Sequence, residues 1–167
     1  MSALPDPKLI FKTADIFSET AKTMLMVSQS EDKPYLNFAV SVNAALATEL
    51  YLKCLLLIEC GQFPKRHNLK LLIGQLKRST RQALKKEHDE IVRRDKKVET
   101  LVKRGMKLDL DSLLEKGQDI FEQFRYPYEP TAKGVFFGLT VLIACTRRYI
   151  LKSNPEWIDD ESTFQAR

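Results

Sequence analysis

Apolar residues recur along most of this chain at intervals of three and four, and no stretch alternates with the period of two that a half-buried strand would show. The first series is Ile10, Ala14, Phe17, Ala21, Met24 and Leu25. Asp6-Pro7 stands ahead of it, a capping side chain followed by a proline whose fixed φ suits a first helical turn. A helix is therefore expected from Pro7 to about Val27, with Ser28–Pro34 as a polar turn. From Phe38 to Cys60 the pattern changes: most positions are Ala, Val, Leu, Ile or Cys. A stretch that is apolar on nearly every face reads as the central helix of a bundle, here over residues 35–60. Gly61 suits the left-handed residue that closes such a helix.

Leu69, Leu72, Ile73 and Leu76 then outline a short amphipathic helix. Ser79-Thr80-Arg81-Gln82 has capping-box spacing and predicts a charge-rich helix through about Lys97, with a thin apolar line at Leu84, Ile91 and Val98. That line is too sparse to bury well, so a projecting helix or mobile arm is expected. Ser112-Leu113-Leu114-Glu115 is a second capping box, opening a helix that carries Leu113, Leu114, Ile120, Phe121 and Phe124. Pro127 and Pro130 stop it. A last apolar helix is expected over Thr131–Leu151, followed by an acidic tail at 153–167. The pattern predicts an all-α, up-and-down bundle of four main helices with one or two accessory ones. Its length of 167 residues fits a single domain, with the core at about 7–152. The two most apolar helices, 35–60 and 131–151, should pack on each other.

Composition narrows the setting. No basic n-region with an apolar run opens the chain, so a cytoplasmic location is expected. Glu49 and Lys53 interrupt one long apolar run and Arg147 the other, so neither reads as a membrane span. Cys54, Cys60 and Cys145 are odd in number and lie in apolar stretches, as free buried thiols of a reducing compartment would. His67 and His88 have no metal-like spacing with them, so no metal or cofactor is expected. P-loop, GxGxxG and GxSxG signatures are absent.

The net charge of +5 conceals an asymmetry. Lys65–Lys107 holds 15 Lys+Arg against 5 Asp+Glu, a net of +10; the remainder has 12 against 17, a net of −5. A basic segment on an acidic body suits a polyanion, although a solvated charge-rich helix has the same composition.

Four polar features could carry chemistry. Glu49 and Lys53 sit one turn apart in the most apolar helix, where an unpaired ion would cost several kcal/mol. They could floor a groove, form a buried structural pair, or lie at an edge where Lys53 reaches solvent. His67 could be a general acid or base, or a helix-start residue bonded to backbone. His88 lies in a charge run and reads as solvated surface. Arg125 could clamp a phosphate or face a helix C-terminus. Tyr126 and Tyr128 could stack on bases or pack a loop.

In order along the chain, Asn43–Leu56, Gly61, His67-Asn68-Leu69-Lys70-Leu71-Leu72 and Phe124-Arg125-Tyr126-Pro127-Tyr128-Glu129 resemble the HEPN superfamily of small helical RNA- and nucleotide-associated domains, over roughly residues 8–152. The resemblance implies a four-to-five-helix bundle that often forms a homodimer. It also implies, in active members, a metal-independent ribonuclease. Their motif is an Arg followed after four to six residues by a His, assisted by a polar residue of the second helix. Arg125 stands at the motif Arg and Glu49 at the assisting position, but Pro130, Thr131 and Ala132 occupy the places for the His. The expectation is therefore a homodimer that binds RNA or a nucleotide. Lys53, Asn68, Tyr126, Tyr128 and Glu129 would line the groove, and Lys65, Arg66, Arg78, Arg81 and Lys85 would supply electrostatics. Two alternatives stay open. One is a metal-independent endoribonuclease of toxin or defence type, with Arg125, Glu49 and His67 as its catalytic group. The other is a non-catalytic module for dimerisation or a protein partner.

Overall fold

Asp6 accepts a hydrogen bond from the Lys8 N–H at 2.9 Å, and Pro7 opens the first helix, as the Asp-Pro pair predicts. The computed structural model describes residues 4–33, 35–95, 107–117 and 135–158. All regular structure among them is helical. In chain order the helices are α1 (Pro7–Ser30), α2 (Leu36–Cys60), α3 (Leu69–Gln75), α4 (Arg78–Arg94), α5 (Leu110–Gly117) and α6 (Val135–Ser153), then a single 3₁₀ turn at Pro155–Trp157. The chain is all-α.

α1 and α2 form an antiparallel hairpin whose register can be read from its contacts. Cys54 Sγ bonds the Pro7 carbonyl at 3.3 Å, the Phe11 and Tyr51 rings meet edge to face at 5.7 Å, and the Ser28 hydroxyl bonds Asn37 at 3.0 Å. α1 runs three residues beyond Val27, because Ser28 is buried and its hydroxyl also bonds the Lys33 carbonyl. α2 is the centre of the fold. Ala44, Ala45 and Ala47 let its neighbours approach, and Tyr51, Leu52, Leu55 and Leu56 fill the space lower down. Its length and composition would allow it to cross a membrane, yet 72% of its most apolar window is buried inside the bundle, as in a core helix. Gly61 closes it at φ +62°, donating to the Leu57 carbonyl while Gln62 donates to Leu56. α6 packs against α2, as expected of the two most apolar helices. Gly138 on α6 admits Leu113 of α5, since a Cβ there would sit 2.6 Å from a Leu113 methyl.

α4 departs from its sequence reading. It is not a projecting arm over its described length: Thr80, Leu84, His88 and Val92 form a buried stripe that packs on α6 and α5. The heptad line Leu84–Ile91–Val98 missed this stripe because two of its members are polar; Val98 lies outside the described residues. His88 is fully buried rather than solvated, with Nδ1 3.0 Å from Asp89 Oδ1 and no partner for Nε2 among the described residues.

Both capping boxes are also displaced. α4 begins at Arg78, and Glu59 of α2 serves as its remote cap, accepting from the Lys77 N–H at 3.0 Å and from the Thr80 hydroxyl. α5 begins at Leu110. Asp109 accepts from the Ser112 N–H at 3.0 Å, a bond that holds the Asp109 carboxyl below the usual carboxylate range. Ser112 is thus the partner of the cap rather than the cap. Cys54 and Cys145 are buried, and burial pushes both thiols up to about 12; Cys60 is exposed, contrary to expectation, because it occupies the last turn of α2.

Candidate functional site

Glu49 and Lys53 occupy the lower half of α2, where tight packing leaves them 4% and 5% exposed. Their helical spacing brings Lys53 Nζ to 2.7 Å from Glu49 Oε1. The ammonium also lies 5.3 Å from the centre of the Phe63 ring, in the connection after Gly61. The pair is therefore a buried ion pair and not an edge pair with a snorkelling lysine.

The same connection returns His67 to this point. Its Nδ1 lies 3.0 Å from Glu49 Oε1 and 3.2 Å from Oε2, while the side chain is 70% exposed. A buried carboxylate thus holds the inner nitrogen of an exposed imidazole, and Lys53 balances the charge of that carboxylate. A carboxylate at Nδ1 favours the tautomer with its proton there, so that Nε2 carries the lone pair of a base. Orientation by a carboxylate is the usual support of a general acid–base histidine.

Asn68 follows directly, but its Oδ1 accepts from the Leu71 N–H at 2.9 Å and caps α3. Of the residues singled out from the sequence, Glu49, Lys53 and His67 come together. Arg125, Tyr126, Tyr128 and Glu129 lie outside the described residues.

The described cations of the basic segment are exposed to solvent. Between Lys65 and Asp95 all ten lysines and arginines are exposed, including Lys65, Arg66, Arg78, Arg81 and Lys85. The four carboxylates of that segment, Glu87, Asp89, Glu90 and Asp95, are each only half-exposed. Two of them brace the bundle: Glu87 pairs with Arg148, and Asp89 accepts from the Leu110 N–H at 2.9 Å. Opposite charge reaches this segment from α5, where Asp111 bonds Lys85 and raises its ammonium pKa, and Glu115 lies 2.9 Å from Lys70.

A second, half-buried polar cluster was not anticipated. The Tyr51 hydroxyl donates to Asp15 Oδ1, and Arg147 Nε donates to the same oxygen at 2.8 Å. Burial, then the Asp15 hydrogen bond, drives the Tyr51 pKa upward. The available signal was an acid, Asp15, one position from the apolar residue Ala14 of α1, and the Arg147-Arg148 pair late in the apolar α6. Among the described residues no three His, Cys, Asp or Glu side chains group as metal ligands. No family model, curated protein or solved structure matches the chain.

Proposed function

We propose that this chain is a HEPN-like helical protein that binds RNA or a nucleotide, as a homodimer, through its basic face. One observation carries the reading: between Lys65 and Asp95 the ten cations point outward while the four carboxylates are drawn toward the body. Sorting of this kind leaves positive charge in excess at the surface of the segment, which would favour a polyanion. Binding through phosphates releases counterions. Retention of single-stranded RNA should therefore fall with log salt, at a slope of about −0.7 per phosphate contacted. Filter binding of a short RNA between low and moderate salt measures this. A flat response, or no retention at low salt, would overturn the proposal.

A second reading is favoured by the Glu49–His67 contact, at 3.0 Å. In a metal-independent endoribonuclease, His67 Nε2 would take the proton of a ribose 2′-hydroxyl. The 2′-oxygen would attack the adjacent phosphorus and expel the 5′-oxygen of the next nucleotide, which takes up a proton. The products are a 2′,3′-cyclic phosphate and a 5′-hydroxyl. Arg125 would be the candidate clamp on the phosphate. Cleavage that persists in EDTA with these termini, and is lost in His67→Ala, is the expected result. Cleavage undiminished in His67→Ala would reject this reading while leaving the binding reading intact.

A further inference from the structure

α3 and α4 meet the first turns of α5 around an open cleft of about 360 Å³. Its rim carries Lys70, Arg78, Arg81 and Lys85, and its floor is apolar, from Ile73, Leu110 and Leu114. The two lysines are already balanced, Lys70 by Glu115 and Lys85 by Asp111. The guanidinium groups of Arg78 and Arg81 have no side-chain partner among the described residues.

Those two arginines stand where local helix physics opposes them. They are three residues apart on one face, so their like charges repel. They also occupy the first turns of α4, near the positive end of its dipole, where acidic residues are the stabilising choice. A sequence that breaks a local rule without compensation among the described residues points to a ligand that supplies it. An anion between the two guanidinium groups would remove both repulsions at once, and planar guanidinium groups match phosphate oxygens in pairs.

We infer that this cleft binds one nucleoside phosphate, either free or as a residue of an RNA chain, with the phosphate on Arg78 and Arg81 and the base against Ile73, Leu110 and Leu114. The apolar floor distinguishes this ligand from a bare anion, and Gln82 at the wall offers an amide to a base edge. The volume lies at the small end of ligand pockets, as suits one nucleotide. The inference rests on the RNA or nucleotide reading above and gives it a discrete subsite.

Gly74 supplies a test that changes no charge. It lines the cleft, and a Cβ built on it meets nothing within 4 Å, so Gly74→Leu is compatible with the helix and fills the opening. Replacing glycine inside a helix also favours folding, which a melting curve would verify. Calorimetry with adenosine and uridine monophosphates, adenosine, inorganic phosphate and a six-nucleotide RNA supplies the readout. The parent should bind a monophosphate at least about tenfold more tightly than the nucleoside or inorganic phosphate. Gly74→Leu should lose about tenfold or more of that affinity, as should Arg78→Ala and Arg81→Ala.

A free nucleotide as the source is indicated if the monophosphate binds as tightly as the oligonucleotide; an RNA residue is indicated if the oligonucleotide binds more tightly and Gly74→Leu weakens it. The inference is overturned if Gly74→Leu binds the monophosphate like the parent, or if inorganic phosphate binds as well as the monophosphate. Salt-dependent RNA retention that is equal in the parent and Gly74→Leu, with no monophosphate binding, rejects the subsite and leaves the basic face standing. Monophosphate binding abolished by Gly74→Leu, with no RNA retention, rejects the face and leaves the subsite standing.

Discussion

Glu49→Leu is expected to destabilise the fold by about 3–5 kcal/mol, read from urea unfolding, because it leaves the Lys53 ammonium buried without its counter-ion. The magnitude follows from where the pair lies: both side chains are less than a tenth exposed, and the ammonium is 2.7 Å from the carboxylate. Coulomb attraction there is offset by the desolvation of two ions, so the intact pair contributes little net stability while the broken pair is costly. The double variant Glu49→Leu/Lys53→Met should recover most of the loss and end within about 1 kcal/mol of the parent, or above it. A double variant as unstable as the single one would show that the pair does more than cancel charge.

The same double variant separates structure from chemistry. It leaves a folded protein in which His67 has lost the carboxylate that holds its Nδ1. If the pair serves only to fill the core, RNA binding and any cleavage should be unchanged. If Glu49 orients His67 as a general base, metal-independent cleavage should fall by about 10²–10⁴-fold while binding to the basic face persists.

Asp15→Ala is expected to cost about 2–4 kcal/mol in the same measurement. Asp15 accepts from both Tyr51 and Arg147, and Tyr51 is fully buried, so removing the carboxylate strands a hydroxyl in the core and takes an ion pair from half-buried Arg147. Tyr51→Phe removes the donor and leaves Asp15 paired with Arg147, so its cost should be nearer about 1 kcal/mol. Because the two changes share a partner, their effects should not add. The alkaline side gives a second check. Burial and the Asp15 hydrogen bond raise the Tyr51 pKa in the folded state, so the folded protein holds that proton more tightly than the unfolded chain. The stabilisation is complete below the unfolded value of about 10 and is lost as pH rises above it. Tyr51→Phe should flatten the decline in stability above pH ~10; an unchanged decline would count against the network.

Much of the helix plan was legible in the sequence, because helical periodicity and end signals are local. The Asp6-Pro7 start, the Gly61 stop and the wholly apolar α2 depend on residues within a few positions of one another. The same locality explains the errors. Ser79 and Ser112 looked like caps because spacing was the only available criterion, whereas Glu59 and Asp109 make the hydrogen bonds. α4 looked too polar to bury, since Thr80 and His88 count against a stripe until α6 and α5 supply the surface that covers it.

The candidate site divides along the same line. The sequence by itself determined that Glu49 and Lys53 lie one turn apart in the most apolar helix, since a rise of one turn is fixed by the helix alone. It also determined that a basic segment follows that helix. Only the tertiary structure decided that His67 returns across 18 positions to meet Glu49, and that Asp15 and Arg147 meet across 132. It alone decided that Arg78 and Arg81 share a cleft with an apolar floor. Those meetings are set by where helices cross and which way a loop turns, and both are fixed by packing of the whole core rather than by the residues near each partner.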